Sequence, residues 1–129
     1  MFNSALKALE HRQATKGGLV DGVANCQYEY SKGESITGGY INYVMALAYS
    51  CSEVNASMGK ICASPTAGSC GIVPAVLLGV MENKKVSREK TLEALITASA
   101  VGAIYTKNAT VAGADGGCQA ECGVAASMA

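Results

Sequence analysis

Two glycine-rich loops carry the residue types that could do chemistry in this 129-residue chain. The first is Ala63-Ser64-Pro65-Thr66-Ala67-Gly68-Ser69-Cys70-Gly71, and the second is Ala112-Gly113-Ala114-Asp115-Gly116-Gly117-Cys118-Gln119. Each feeds a run that reads as a helix. Small residues at a helix N-terminus present free backbone N–H groups and the positive end of the dipole, which suits a carboxylate or another anion. The hydroxyls of Ser64, Thr66 and Ser69 are further donors. Serine and threonine also cap and glycine also turns, so the loops alone leave both roles open.

Cys118 and Cys122 stand four positions apart and share one face of any helix they occupy. A helix start favours the thiolate, the ligating form, at Cys118. Cys-x3-Cys is not a zinc-finger spacing, and no second ligand pair follows it. Burial as a small hydrophobe is the other role open to each of the six cysteines, and it suits Cys122, one turn deeper. The single histidine, His11, lies in an amphipathic stretch and reads as a surface residue. Lys60, Lys107 and Asn108 edge the two loops. A desolvated lysine there can act as a base or pair with a carboxylate, and one that reaches solvent does neither. Glu121 either hydrogen-bonds around a site at Cys118 or offsets the helix dipole.

The elements that must position these residues are helical. Phe2, Leu6 and Leu9 recur at helical spacing over Phe2–Gln13, with Lys7, Glu10 and Arg12 outside. Residues 19–34, rich in Gly, Asp, Asn and Ser, read as loop and partial turn. The spacing predicts a second helix over Tyr40–Ser57 with Ile41, Val44, Met45, Ala48 and Cys51 on one face. A third, Ile72–Asn83, is apolar on nearly every side and must be surrounded by protein, with Pro74 tolerated in its first turn. Ser87 caps a fourth helix that runs to about Lys107, and small residues in its second half permit close helix approach. Residues 108–117 read as loop, and Cys118 starts a fifth helical stretch. Strand alternation is absent, so the expected class is all-α: one compact domain, 1–129, with buried apolar helices and glycine loops at helix N-termini.

Ten basic residues balance ten acidic ones, which gives no electrostatic reason to expect nucleic acid or an anionic membrane. There is no Trp and one Phe, so a base-stacking platform is also unsupported. Apolar runs fall short of the ~20 residues that span a bilayer, and no signal-peptide pattern opens the chain. A soluble cytoplasmic protein is expected, with reduced thiols rather than a disulfide framework. Charge is sparse between Ile36 and Met81, where only Glu53 and Lys60 are charged, so this segment should form the interior. The chain stops in a helical run without a C-cap signal, which implies a fraying helix or a cut.

Several stretches resemble, in order, the alpha chain of iron–sulfur L-serine dehydratases. They are Ser35–Gly39, Asn55-Ala56-Ser57-Met58-Gly59-Lys60, Ser64–Pro74 and Lys107–Glu121, so the likeness covers nearly the whole chain. The resemblance implies an L-serine ammonia-lyase that makes pyruvate and ammonia with a [4Fe–4S] cluster as Lewis acid. It maps the family's Gly-Cys-Gln ligand onto Cys118. Two further cluster cysteines, in segments resembling Leu-Thr-Cys-Asp-Pro and Pro-Cys, would lie beyond Ala129. Cys70 and Cys122 occupy positions that vary in the family and are not promoted to ligands. By hypothesis Ser64, Thr66, Ala67, Gly68, Ser69 and Asn108 bind L-serine, and these residues do not identify the base.

A beta chain of the same enzyme, or a second copy in a homo-oligomer, is the expected partner. This chain alone is expected to be inactive. Two other readings stay open: a non-catalytic helical fragment that associates with a partner chain, and a lyase acting on another β-substituted amino acid such as cysteine.

Overall fold

In the computed structural model, which describes residues 1–129, the chain folds into six helices and no strands. They are α1 (Phe2–Glu10), α2 (Val23–Ser31), α3 (Gly38–Ala56), α4 (Ile72–Asn83), α5 (Arg88–Asn108) and α6 (Gly113–Met128). The all-α expectation holds. Helix α3 is central and packs against α1, α2 and α4, while α5 and α6 pair and close over the far side of α4.

The core follows from small residues that let helices approach. The main cluster joins Ala5, Ala8 and Leu9 of α1 with Ala24 of α2, Ala46, Leu47, Cys51 and Val54 of α3, and Ala75 and Leu78 of α4. A smaller cluster of Val73, Leu77 and Ala98 lies between α4 and α5, with Met128 of α6 packed on it. Helix α4 is buried over most of its surface, as its all-round apolarity requires. In α5 only Ala98 and Gly102 of the small-residue half are buried, and Met128 fills the space a side chain at Gly102 would need.

Three expectations are corrected. Helix α1 ends at Glu10, not Gln13, because the Gln13 N–H leaves the helix ladder and donates to Glu53 Oε1 at 2.7 Å. Its inner stripe is Ser4, Ala5, Ala8 and Leu9, while Leu6 is exposed. The reason is a polar insertion from α3: Ser50 Oγ donates to Ser4 O at 2.8 Å and accepts from Ala8 N at 2.9 Å.

Residues 23–31, expected as loop, form α2. Its stabilising contacts are long-range and leave little local pattern. Ala24 N donates to Glu53 Oε2, Asn25 Nδ2 to Leu9 O, and Gln27 Nε2 to Asn42 Oδ1. Ala24 is its only buried residue.

The inner face of α3 is Asn42, Ala46, Leu47, Ser50, Cys51, Glu53 and Val54. Ile41 and Met45 are exposed and Val44 and Ala48 half-buried, so the predicted stripe is rotated. Enclosed hydrogen bonds, not apolarity, decide that face: Asn42, Ser50 and Glu53 have partners inside the fold.

Helix α3 ends in a Schellman turn, with Gly59 N donating to Val54 O and Met58 N to Asn55 O, and Met58 holds the left-handed position at φ 62°.

Candidate functional site

The Asn55–Lys60 stretch ends α3 and anchors the first glycine loop. Asn55 Nδ2 donates to the Ala67 carbonyl at 3.2 Å. Within the loop the Ser64–Pro65 peptide is cis, and the Ser64 N–H donates to Thr66 O. All three hydroxyls are engaged by protein, those of Ser64 and Ser69 within this stretch. Ser64 Oγ donates to Cys62 O at 3.4 Å, Ser69 Oγ to Ser64 O at 3.4 Å, and Thr66 Oγ1 lies 3.2 Å from Ser69 Oγ. No protein acceptor receives the successive backbone N–H groups of Ala67, Gly68 and Ser69. Ala67 and Gly68 are exposed, and the loop leads through Gly71 into α4. The donors this loop offers an anion are therefore backbone amides.

The second loop is shorter than expected. Asn108 is the last residue of α5, and its Nδ2 donates back to Ile104 O at 2.8 Å. Residues 113–116 already form a helical turn. Gly117, at φ 73° and ψ 175°, then breaks the helix, and a new segment starts at Cys118. Only glycine adopts that backbone readily. Thr110 Oγ1 accepts from Ala112 N and donates to Asp115 Oδ2, which shapes the entry.

Glu121 joins the two regions. Its Oε1 accepts from Thr66 Oγ1 at 2.6 Å. Its carboxylate lies against Gly68 and Gly113, where a Cβ would come within 3.2 Å and 2.7 Å of its oxygens. Glycine at both positions leaves room for it. The hydrogen bond observed for Glu121 goes to the first loop, not around Cys118. The structure thus brings Thr66, Gly68 and Ser69 together with the helix of Cys118, and no hydrogen bond ties Asn108 to them.

Cys118 is exposed and Cys122 half-exposed, with their sulfurs 3.8 Å apart in a thiol–thiol hydrogen bond. That bond, with lesser contributions from burial and neighbouring charge, pushes the Cys122 thiol up from its ordinary range. Burial of Cys122 as a packing thiol is corrected: the inward residues of this segment are Val124 and Ala125, so Cys122 faces the open side. The core thiols are Cys51 and Cys70, both raised chiefly by burial, Cys51 to about 12. His11, Lys60 and Lys107 are exposed. Lys60 and Lys7 both line a surface cavity of about 410 Å³ between α1 and residues 60–62.

No group of three or more His, Cys, Asp or Glu side chains is assembled for a metal. No helix is long and apolar enough to cross a membrane.

A family model described as the serine dehydratase alpha chain matches residues 1–129. The L-serine dehydratase alpha chain of Peptoniphilus asaccharolyticus is 48% identical over 130 residues, covering 100% of this chain and 44% of that protein. A probable L-serine dehydratase alpha chain of Bacillus subtilis is 45% identical over 113 residues, covering 87% and 38%. An L-serine dehydratase of Helicobacter pylori is 44% identical over 91 residues, covering 69% and 20%. The chain spans less than half the length of these relatives. No solved structure matches it.

Proposed function

Since the chain belongs to the serine dehydratase alpha-chain family, we propose that it supplies the substrate-carboxylate loop and one cluster thiolate of an iron–sulfur L-serine ammonia-lyase. The observation that carries this reading is the Thr66–Glu121 hydrogen bond, which fastens the amide-bearing loop to the helix of Cys118. A carboxylate held by the N–H groups of Ala67, Gly68 and Ser69 would thereby lie at a defined distance from a cluster at Cys118.

A [4Fe–4S] cluster with an open iron would supply Lewis acidity toward the serine hydroxyl, a poor leaving group. What this chain contributes is orientation. The amides hold the carboxylate, and Glu121 and Asn55 keep the loop from shifting. Loss of the Cα proton and of hydroxide gives aminoacrylate, which hydrolyses to pyruvate and ammonia. The resemblance puts two further cluster cysteines in other segments of the enzyme, and the residues of this chain do not identify the base.

The test is made in the full-length enzyme. Cys118→Ser should abolish the cluster's visible absorbance, and Cys122→Ser should leave most of it. Equal loss from both variants would show that the ligand is wrongly assigned. Anaerobic reconstitution of the 129-residue chain with iron and sulfide should give no pyruvate from serine, and robust turnover would refute its dependence on further segments.

Leu92, Ile96 and Ile104 form an exposed apolar stripe on α5, and they support a partner surface for a beta chain or a second copy. A stable monomer in size-exclusion measurements at micromolar concentration would count against it.

A further inference from the structure

We propose that Cys118 and Cys122 form a reversible dithiol–disulfide pair, closed by exchange with a low-molecular-weight disulfide and reopened by a thiol reductant. Theirs is the one thiol–thiol hydrogen bond in the structure, with the sulfurs 3.8 Å apart. Neither sulfur is enclosed: Cys118 is exposed and Cys122 half-exposed. The other four cysteines divide into two buried, Cys51 and Cys70, and two exposed, Cys26 and Cys62, with no such sulfur partner.

The backbone permits closure. In a regular helix, residues four apart have Cα atoms about 6 Å apart, inside the range that disulfides span. Their Cβ atoms must still approach by roughly 1–2 Å. Cys118 can make that movement because it opens the helical segment. Gly116 and Gly117 precede it, and Gly117 has already left helical geometry. First-turn N–H groups also lack intrahelical acceptors, so few backbone bonds resist the shift. Gly123 follows Cys122 with open space where a side chain would stand.

The exchange balances. The Cys118 thiolate attacks a disulfide RSSR, forming a protein–SR mixed disulfide and releasing one RS⁻. The Cys122 sulfur, on losing its proton, attacks the Cys118 sulfur and expels the second RS⁻. Two protein thiols have then given up two protons and two electrons, and RSSR has become two RSH. A consequence, which rests on the reading of Cys118 as a cluster ligand, is that the closed form keeps that thiol from binding iron but holds it in a recoverable state. Higher oxidation to sulfinic acid would lose it.

The 129-residue chain, equilibrated anaerobically in glutathione buffers of graded oxidised fraction, is quenched in acid, alkylated and mapped over residues 108–129. Cys118 and Cys122 should lose alkylation together, with loss of two hydrogens and no glutathione adduct, and should regain it with dithiothreitol. In Cys122→Ser the adduct on Cys118 should persist at least about tenfold longer, since no neighbouring thiol can resolve it. An equally persistent adduct in the unaltered chain would overturn the proposal, as would full alkylation of both thiols across the series. Phenylarsine oxide, which bridges two close thiols, gives a check that needs no variant. It should protect both from alkylation at one equivalent, and protection of neither would also overturn the pairing. Retention of the cluster by a full-length Cys118→Ser enzyme would remove the ligand role and leave this result untouched.

Discussion

Thr66 Oγ1 donates to Glu121 Oε1 at 2.6 Å across 55 positions of sequence, and this is the polar tie between the loop before α4 and helix α6. Both residues are half-buried, so the bond contributes on the order of 1 kcal/mol to stability. Thr66→Val should lower the melting temperature by a few degrees. It should raise the KM for serine in the full-length enzyme more than it lowers kcat, because it frees the loop without touching Cys118. A kcat loss at constant KM would contradict that assignment.

Gly71 sets the approach of α4 to α3. A Cβ there would stand 2.6 Å from the Ala48 carbonyl oxygen and 3.1 Å from its Cα, and backbone cannot yield as a side-chain end can. Gly71→Ala should destabilise the fold by about 1–3 kcal/mol in urea unfolding. Gly123→Ala meets no atom within 4 Å in α6, so it should stabilise by roughly 0.5–1 kcal/mol. Destabilisation by both would mean that α6 packs more tightly than described.

What could be read from the sequence divides along the same line. Helix α4 was legible to the residue because its apolarity is local and unbroken, and the Ser87 cap of α5 was legible because Lys90 N meets Ser87 Oγ within one turn. The helical start at Cys118 was legible, but residues 108–117 read as one loop, whereas 113–116 form a helical turn and Gly117 alone breaks the backbone. Helix α2 was not legible, since Glu53, Asn42 and the Leu9 carbonyl hold it from far along the chain. Nor was the inner face of α3, where a stripe of Ile41 and Met45 gave way to buried polar groups with partners elsewhere. At the site, composition singled out the two loops but left their role open, and Cys118 took its role from the resemblance. Glu121 was noticed, but nothing in its neighbours pointed to Thr66.

The Cys51 thiol, 1% exposed, is pushed up from an ordinary value of 9.0 to about 12, chiefly by burial. At pH 8, thiol reagents should modify Cys62 and Cys26 and spare Cys51 in the folded chain. Because the folded state holds this proton more tightly than the unfolded state, its contribution to stability is complete below pH 9 and is lost as pH rises toward 12. Melting temperature should therefore fall over that interval, and Cys51→Ala should make the decline shallower. An unchanged slope would place the alkaline loss at other groups.

Glu53 is 1% exposed, and its two oxygens accept from Gln13 N and Ala24 N. One carboxylate thus ends α1 and starts α2, joining three helices at a single point. Glu53→Ala would leave both N–H groups without a partner inside the fold. Each orphaned donor costs about 1–3 kcal/mol, so the loss should reach roughly 3 kcal/mol or more. Glu53→Gln retains one accepting oxygen and turns an amide N–H₂ toward the second donor, so it should recover no more than about half. Hydrogen exchange separates this from general weakening. In Glu53→Ala the amides of residues 23–31 should lose protection by a larger factor than those of Ile72–Asn83. Equal loss in both helices would mean that α2 does not depend on Glu53 for its start.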